Sequence, residues 1–316
     1  MIYDSPYPEI TVPETTVSEL VLGGAAERFG DRVALIDGHT GERFTYAELC
    51  EAVRSAAAGF AELGVRPGDT VAVMSYNQPR FAVAAHAALT AGVAVTTINP
   101  VSTADEVAKQ LMAAKVCAVV SSEEAVSRAS DAAAVAGVKH VLSFGNSARP
   151  FDELLHTGAG VRSPRLDPAT AVAVLPFSSG TTGKSKGVQL THRNLVANLT
   201  QSRAVWPIGP DDVVVAVPPF FHILGFTMVL NFSLLSGATV VTLARFELEE
   251  FLGVVKRHGA TRGYFVPPML LAIASSDHLD LDGGTSLKYG VCGAAPVDAD
   301  IVARAEQRLG CVIRQG

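Results

Sequence analysis

Charge is scarce in this sequence. Asp, Glu, Lys and Arg make up 18% of its 316 residues, and 25 basic against 31 acidic side chains leave a net charge of −6. A charged share below the usual quarter, beside 48% hydrophobic residues, excludes a disordered chain. Mild acidity gives no electrostatic case for nucleic acid or anionic lipid as a partner. Cysteine is equally sparse. Cys50, Cys117, Cys292 and Cys311 stand too far apart for a zinc knuckle or a redox pair. Buried free thiols are expected, as in a reducing cytoplasm, which is the predicted compartment. The N-terminus has no basic start followed by an apolar run, so no signal peptide is expected. Long apolar runs are also lacking. Residues 213–244 carry only His222 as an ionisable group, but Pro218, Pro219, Asn231, Ser233, Ser236 and Gly237 break the stretch. It reads as strand, loop, buried helix and strand, and no membrane span is expected.

Helix-period and strand-period segments alternate, the mark of an α/β fold. Thr45 with Glu48, and Thr103 with Glu106, have capping-box spacing and predict helices over 45–63 and 103–114. Pro79 opens a third helix that Gly92 stops. Strands are predicted at 71–74, 93–98, 116–120 and 138–144, with a helix over 123–135. These units imply a parallel sheet with helices packed on it. Residues 145–168 read as a connection. Further strands are predicted at 171–176, 213–217, 239–243, 263–266, 288–292 and 311–313. Helices are predicted at 194–203, 225–235, 247–258, 269–275 and 298–309. The division expected is a first α/β subdomain over 1–170 and a second over 171–316, with interleaving allowed.

The most informative segment follows the strand at 171–176. Residues 178–187 read Ser-Ser-Gly-Thr-Thr-Gly-Lys-Ser-Lys-Gly. Glycine lets backbone N–H groups turn toward a ligand, hydroxyls donate to phosphate oxygens, and lysine offsets phosphate charge. A flexible linker would not follow a buried strand directly or carry paired lysines. Gly183-Lys184-Ser185 resembles the end of a Walker A loop, but the first glycine of that motif would fall at position 178, which is Ser. A P-loop NTPase is therefore the weaker alternative.

The longer segment 175–195, LPFSSGTTGKSKGVQLTHRNL, resembles the signature of the adenylate-forming superfamily: acyl- and aryl-CoA ligases, luciferases and nonribosomal-peptide adenylation domains. Ser185 replaces the usual proline of that signature, which loosens the loop without removing ligand groups. Residues 41–49 (GERFTYAEL), 218–225 (PPFFHILG) and 289–297 (YGVCGAAPV) resemble further segments of the same family. The resemblance runs from about residue 15 to the last, and is nearest to 4-coumarate–CoA and fatty-acyl–CoA ligases. It implies stacked helix–sheet–helix subdomains of a large N-terminal domain. It also implies an enzyme that converts a carboxylic acid and Mg-ATP to an acyl-adenylate and pyrophosphate, then transfers the acyl group to coenzyme A.

The resemblance also implies roles. Ser178, Ser179, Gly180, Thr181, Thr182, Gly183 and Lys186 would hold the ATP phosphates, with Thr181 and Lys186 acting in the chemistry; Lys184 sits at a variable position. His222 would gate the passage between ATP and acyl pocket. Leu224 and Met228 would line that pocket, and Phe226 and Thr227 follow on the same segment. Leu224 stands where plant coumarate ligases carry tyrosine, which favours an apolar acyl or unsubstituted aryl tail. Gly293, Ala294, Ala295 and Pro296 would approach the adenine and the acyl group. Arg245 would meet the coenzyme A phosphates. Gln315 and Gly316 match the start of a motif whose glutamate, beyond the chain end, would bind magnesium. On this reading the chain is an N-terminal portion without the small catalytic-lysine domain, with little turnover alone. A non-catalytic nucleotide- or acyl-binding module is the other alternative.

Overall fold

The structure, a computed structural model, describes residues 5, 7, 9–156, 163–179, 185–276 and 284–316. Two short helices lead the chain. α1 (Val17–Leu22) starts where the Thr16 hydroxyl accepts from the Glu19 N–H, and α2 (Ala25–Phe29) follows. β1 (Val33–Asp37) and β2 (Arg43–Thr45) form an antiparallel pair that feeds α3 (Tyr46–Glu62). Thr45 and Glu48 make the expected capping box at its start.

Three βα units and a further strand come next. They are β3 (Thr70–Met74) with α4 (Pro79–Thr90), β4 (Ala94–Ile98) with α5 (Ala104–Ala113), β5 (Val116–Ser121) with α6 (Val126–Ala136), and β6 (His140–Ser143). Thr103 and Glu106 cap α5 reciprocally, as their spacing predicts. The predicted connection at 145–168 is not wholly irregular. It holds β7 (Arg149–Pro150) and a 3₁₀ turn, Phe151–His156, whose Phe151 and Leu154 are buried. A side chain at Gly59 would meet Leu154 Cβ at 2.7 Å, so the glycine lets this turn press onto α3.

Then come β8 (Val172–Val174), β9 (Phe177–Ser179), β10 (Ser185–Gly187), β11 (Leu190–Thr191) and α7 (His192–Val205). β12 (Val213–Ala216) leads to the segment predicted as one helix. It is a π-helix, Gly225–Asn231, running into α8 (Phe232–Leu235). The last elements are β13 (Thr239–Thr242), α9 (Leu248–His258), β14 (Arg262–Phe265), α10 (Pro267–Ala274), β15 (Tyr289–Cys292), α11 (Ala299–Leu309) and β16 (Val312–Gln315).

The strands form two seven-stranded sheets, ordered β11-β8-β4-β3-β5-β6-β7 and β16-β15-β14-β12-β13-β1-β2, and β9 pairs with β10 apart from both. All ladders in the large sheets are parallel except β8–β11 and β1–β2. Each sheet draws strands from both sides of residue 170. Strand alternation sorts the core into three slabs. Val71 and Val73 of β3, with Val214 and Ala216 of β12, face a central slab shared with α1, α3, α4, α7 and α8. Ala72 and Met74 face an outer slab under α5 and α6. Val215 and Val217 face the other outer slab under α9, α10 and α11. The order is helix–sheet–helix–sheet–helix. α4 lies between the sheets and is buried on all sides, which suits its run of alanines.

Among the described residues no helix is long and apolar enough to cross a membrane. The four cysteines are free; Cys292 and Cys311 are buried, whereas Cys50 and Cys117 are only half-buried. Burial pushes the thiols up, to about 11 for Cys117 and Cys311, so none is poised as a thiolate nucleophile.

Candidate active site

Chain direction fixes where the second sheet opens. β12 leads through the π-helix and α8, in the central layer, to β13. β14 leads through α10, in the outer layer, to β15. β12 and β14 are neighbours whose connections leave on opposite faces, so a crevice forms outside their carboxyl ends.

A cavity of about 560 Å³ lies there. Leu224, Met228, Gly293, Ala294, Gln315 and Gly316, six residues singled out in the sequence, line it together. Strand register lays out its floor. Tyr264 pairs with Val291, and Val291 with Arg314, so these three share one row; Gly293 and Gly316 follow at the strand tips. The Gly293 N–H donates to the Phe265 carbonyl at 3.1 Å, and the Gly316 N–H to the Cys292 carbonyl at 3.1 Å. Ser202, Val205 and Trp206 from the end of α7 line it beside Met228, whose Sδ accepts from the Ser202 hydroxyl at 3.5 Å. A Cβ on Gly293 would stand 3.5 Å from the Gly316 carbonyl and 3.9 Å from Leu224 Cδ2, so this glycine widens the cavity. Ala294 has a φ of 73°, a left-handed conformation that costs a non-glycine residue about 1 kcal/mol. The Gln315 carboxamide holds Val297 at two points, accepting from its N–H at 3.3 Å and donating to its carbonyl at 3.2 Å. Ala295 and Pro296 are exposed in the loop so held, outside the cavity lining.

His222 sits on the turn after β12. It is exposed and does not line the cavity; its Nδ1 accepts from the Leu224 N–H at 3.4 Å. Two residues that the sequence did not single out hold this turn. Asn77, buried beyond the end of β3, donates to the Ala216 carbonyl at 2.9 Å and the Pro218 carbonyl at 3.1 Å, and accepts from the Phe220 N–H at 2.7 Å. The Thr97 hydroxyl donates to the Phe221 carbonyl at 2.6 Å. The only hint of Thr97 in the sequence is a pair of threonines in an otherwise apolar strand. Gly225 is obligatory here, because a Cβ would fall 1.9 Å from the Pro219 carbonyl oxygen.

Ser178 and Ser179 lie on β9 and Lys186 on β10, with Lys186 opposite Ser178 in an antiparallel ladder. Gly180, Thr181, Thr182, Gly183 and Lys184 fall outside the described residues. The chain entering this hairpin is tied to β4: the Leu175 N–H donates to the Val95 carbonyl, and the Thr96 hydroxyl to the Leu175 carbonyl, both at 2.8 Å. Gly187 lets β10 cross the Phe177 ring, which a Cβ would meet at 3.0 Å. Lys186 is exposed.

Arg245, exposed after β13, stacks over Tyr76 at 4.9 Å and donates to its hydroxyl at 2.7 Å. It too stands outside the cavity. Among the described residues no group of three or more His, Cys, Asp or Glu could hold a metal ion.

Known proteins share this arrangement. The fold superposes on the red-emitting luciferase of Phrixothrix hirtus with a TM-score of 0.89 at 25% identity, covering 99% of this chain and 79% of that one. A long-chain-fatty-acid–CoA ligase of Archaeoglobus fulgidus gives 0.90 at 24% identity over 99% and 66%, a likeness of fold. In sequence, the chain is 34% identical to 4-coumarate–CoA ligase 5 of Oryza sativa subsp. japonica. That match takes in 100% of this chain and 59% of the relative, so the chain spans about three-fifths of the relative's length. The family model described as AMP-binding enzyme matches residues 23–316. Since that match takes in every strand of both sheets, the chain belongs to the AMP-binding enzyme family.

Proposed function

We propose that this chain supplies the ATP- and acid-binding part of an AMP-forming carboxylic acid–CoA ligase. The observation that carries the proposal is the cavity at the sheet's switch point. It gathers Leu224, Met228, Gly293, Ala294, Gln315 and Gly316 around a space suited to a small organic acid. In the first half-reaction, a carboxylate oxygen attacks the α-phosphorus of ATP and pyrophosphate leaves. In the second, the coenzyme A thiol attacks the acyl carbon and AMP leaves.

Charge and position are what the protein contributes. Lys186, Ser178 and Ser179, with Gly180, Thr181, Thr182 and Gly183 between them in sequence, hold the phosphates. Gly293, Ala294, Ala295 and Pro296, with Gln315 and Gly316, let the adenine and the acyl carboxylate approach the backbone. His222, on a turn pinned by Asn77 and Thr97, stands beside Leu224 and gates entry to the cavity. Arg245 meets the coenzyme A phosphates from the rim. Magnesium, when bound with ATP, offsets phosphate charge.

Calorimetry of the 316-residue chain with a non-hydrolysable acyl-sulfamoyl adenosine, which joins acyl and adenosine parts as the intermediate does, tests the reading. Saturable binding that free adenosine does not match is expected. No binding of either the analogue or ATP would overturn it. ATP hydrolysis that is indifferent to any carboxylic acid would instead favour an NTPase.

A further inference from the structure

One polar group in the cavity has nothing to bind. The Tyr264 hydroxyl is buried without a hydrogen-bond partner, and the Tyr264 side chain lines the cavity on the row it shares with Val291. The residue itself is 4% exposed. Buried hydroxyls are ordinarily hydrogen-bonded, and one left idle beside an open cavity is a group awaiting a ligand. Trp206, the only tryptophan in the chain, lines the same cavity. Burial raises the Tyr264 pKa, opposed by the Arg262 charge and by the Trp206 indole N–H, which can only donate toward the phenolic oxygen. Indole N–H is a donor only, so it cannot receive the phenolic proton. That proton is left to be donated into the cavity.

Resting on the ligase reading above, we infer that the acid held here carries an oxygen on its tail, a hydroxyl, ether or carbonyl, which accepts from Tyr264. Position agrees. Gly293, where the acyl carboxylate approaches the backbone, lies two residues beyond Val291, about 7 Å along the strand. The receiving oxygen therefore sits well down the tail, apart from the reacting carboxylate. A leucine on the helix wall removes a polar contact there, but the sheet wall supplies another. Arg314, at the open end of the same row, is exposed and adds no comparable demand, because solvent satisfies it.

The test uses the whole 316-residue chain and matched acyl-sulfamoyl adenosines. One carries a plain cinnamoyl group; the others carry the same group with a hydroxyl or methoxyl at each ring position. At least one oxygenated analogue is expected to bind about five- to tenfold more tightly than the plain one, the yield of one neutral hydrogen bond. Tyr264→Phe is expected to erase that preference. Equal affinities across the wild-type series, or tightest binding of the plain analogue, would overturn this inference while leaving the ligase reading intact. A preference that survives Tyr264→Phe would overturn the assignment to Tyr264. Failure of every analogue to bind would overturn the ligase reading, and this inference with it.

Discussion

The Asn77 carboxamide oxygen accepts from the Phe220 N–H at 2.7 Å across 143 residues of sequence. Through this contact the end of β3 in one sheet holds the turn that follows β12 in the other. Its amide nitrogen serves the same turn from the opposite side, donating to the Ala216 and Pro218 carbonyls. The consequence is a prediction. Asn77→Ala leaves the buried Phe220 N–H without a partner and should cost about 2–4 kcal/mol of stability. Asn77→Asp should fare no better, because it sets a carboxylate against two carbonyl oxygens. Urea unfolding of the two variants measures this, and a loss below about 1 kcal/mol for both would contradict it.

Asn77 also marks the limit of what the sequence discloses. The helices over Tyr46–Glu62 and Ala104–Ala113 were legible because their capping boxes span three residues and depend on nothing distant. The parallel βα units were legible for the same local reason. By contrast, β1 and β2 precede the first βα unit yet join the sheet of β12 and β13, through pairings such as Leu35 with Val240. No local pattern carries such a pairing. The apolar run at 225–235 announced a buried helix, but composition does not separate π from α winding. In the site, the glycine-rich segments were legible through a family resemblance. Tyr264 was not, because its meaning lies in a missing partner, which only packing shows.

Ala294 offers a test of strain in the cavity wall. Its left-handed conformation suits glycine and disfavours a branched side chain. Ala294→Gly should raise stability by about 0.5 kcal/mol, the relieved strain exceeding the extra freedom gained by the unfolded chain. Ala294→Val should lower it by about 2 kcal/mol and narrow the cavity. Unfolding midpoints check the order Gly, Ala, Val; any other order would show that the loop relaxes around the side chain.

Two buried histidines set a pH dependence. Burial lowers His86 to about 4, with an opposing contribution from Asn231, and burial alone lowers His192 to about 4. His192 Nδ1 accepts from the Val17 N–H at 3.1 Å, which requires it to be unprotonated. Between pH 6.5 and 4 the unfolded chain therefore binds protons that the folded chain does not. Stability falls as pH falls through that window, by about 2 kcal/mol per histidine at pH 5. His192→Asn keeps an acceptor near Nδ1 and removes the titration. Urea titrations at pH 7 and pH 5 should show the variant losing about 2 kcal/mol less than the wild type.

Lys186 and Arg245 are both exposed cations near strand ends, but they should answer to different ligands. Lys186 lies opposite Ser178 at the base of the hairpin, whereas Arg245 is oriented by the Tyr76 ring and hydroxyl. A charge-assisted contact to phosphate contributes about 1.5–3 kcal/mol. Lys186→Ala should therefore weaken ATP binding about tenfold or more, and the loss should shrink as salt rises. An acyl-sulfamoyl adenosine has no β- or γ-phosphate, so the ratio of ATP affinity to analogue affinity should fall in Lys186→Ala and hold in Arg245→Ala. Arg245→Ala should instead weaken coenzyme A. Calorimetry with the three ligands separates the roles; equal losses for ATP and the analogue in Lys186→Ala would place that lysine away from the phosphates.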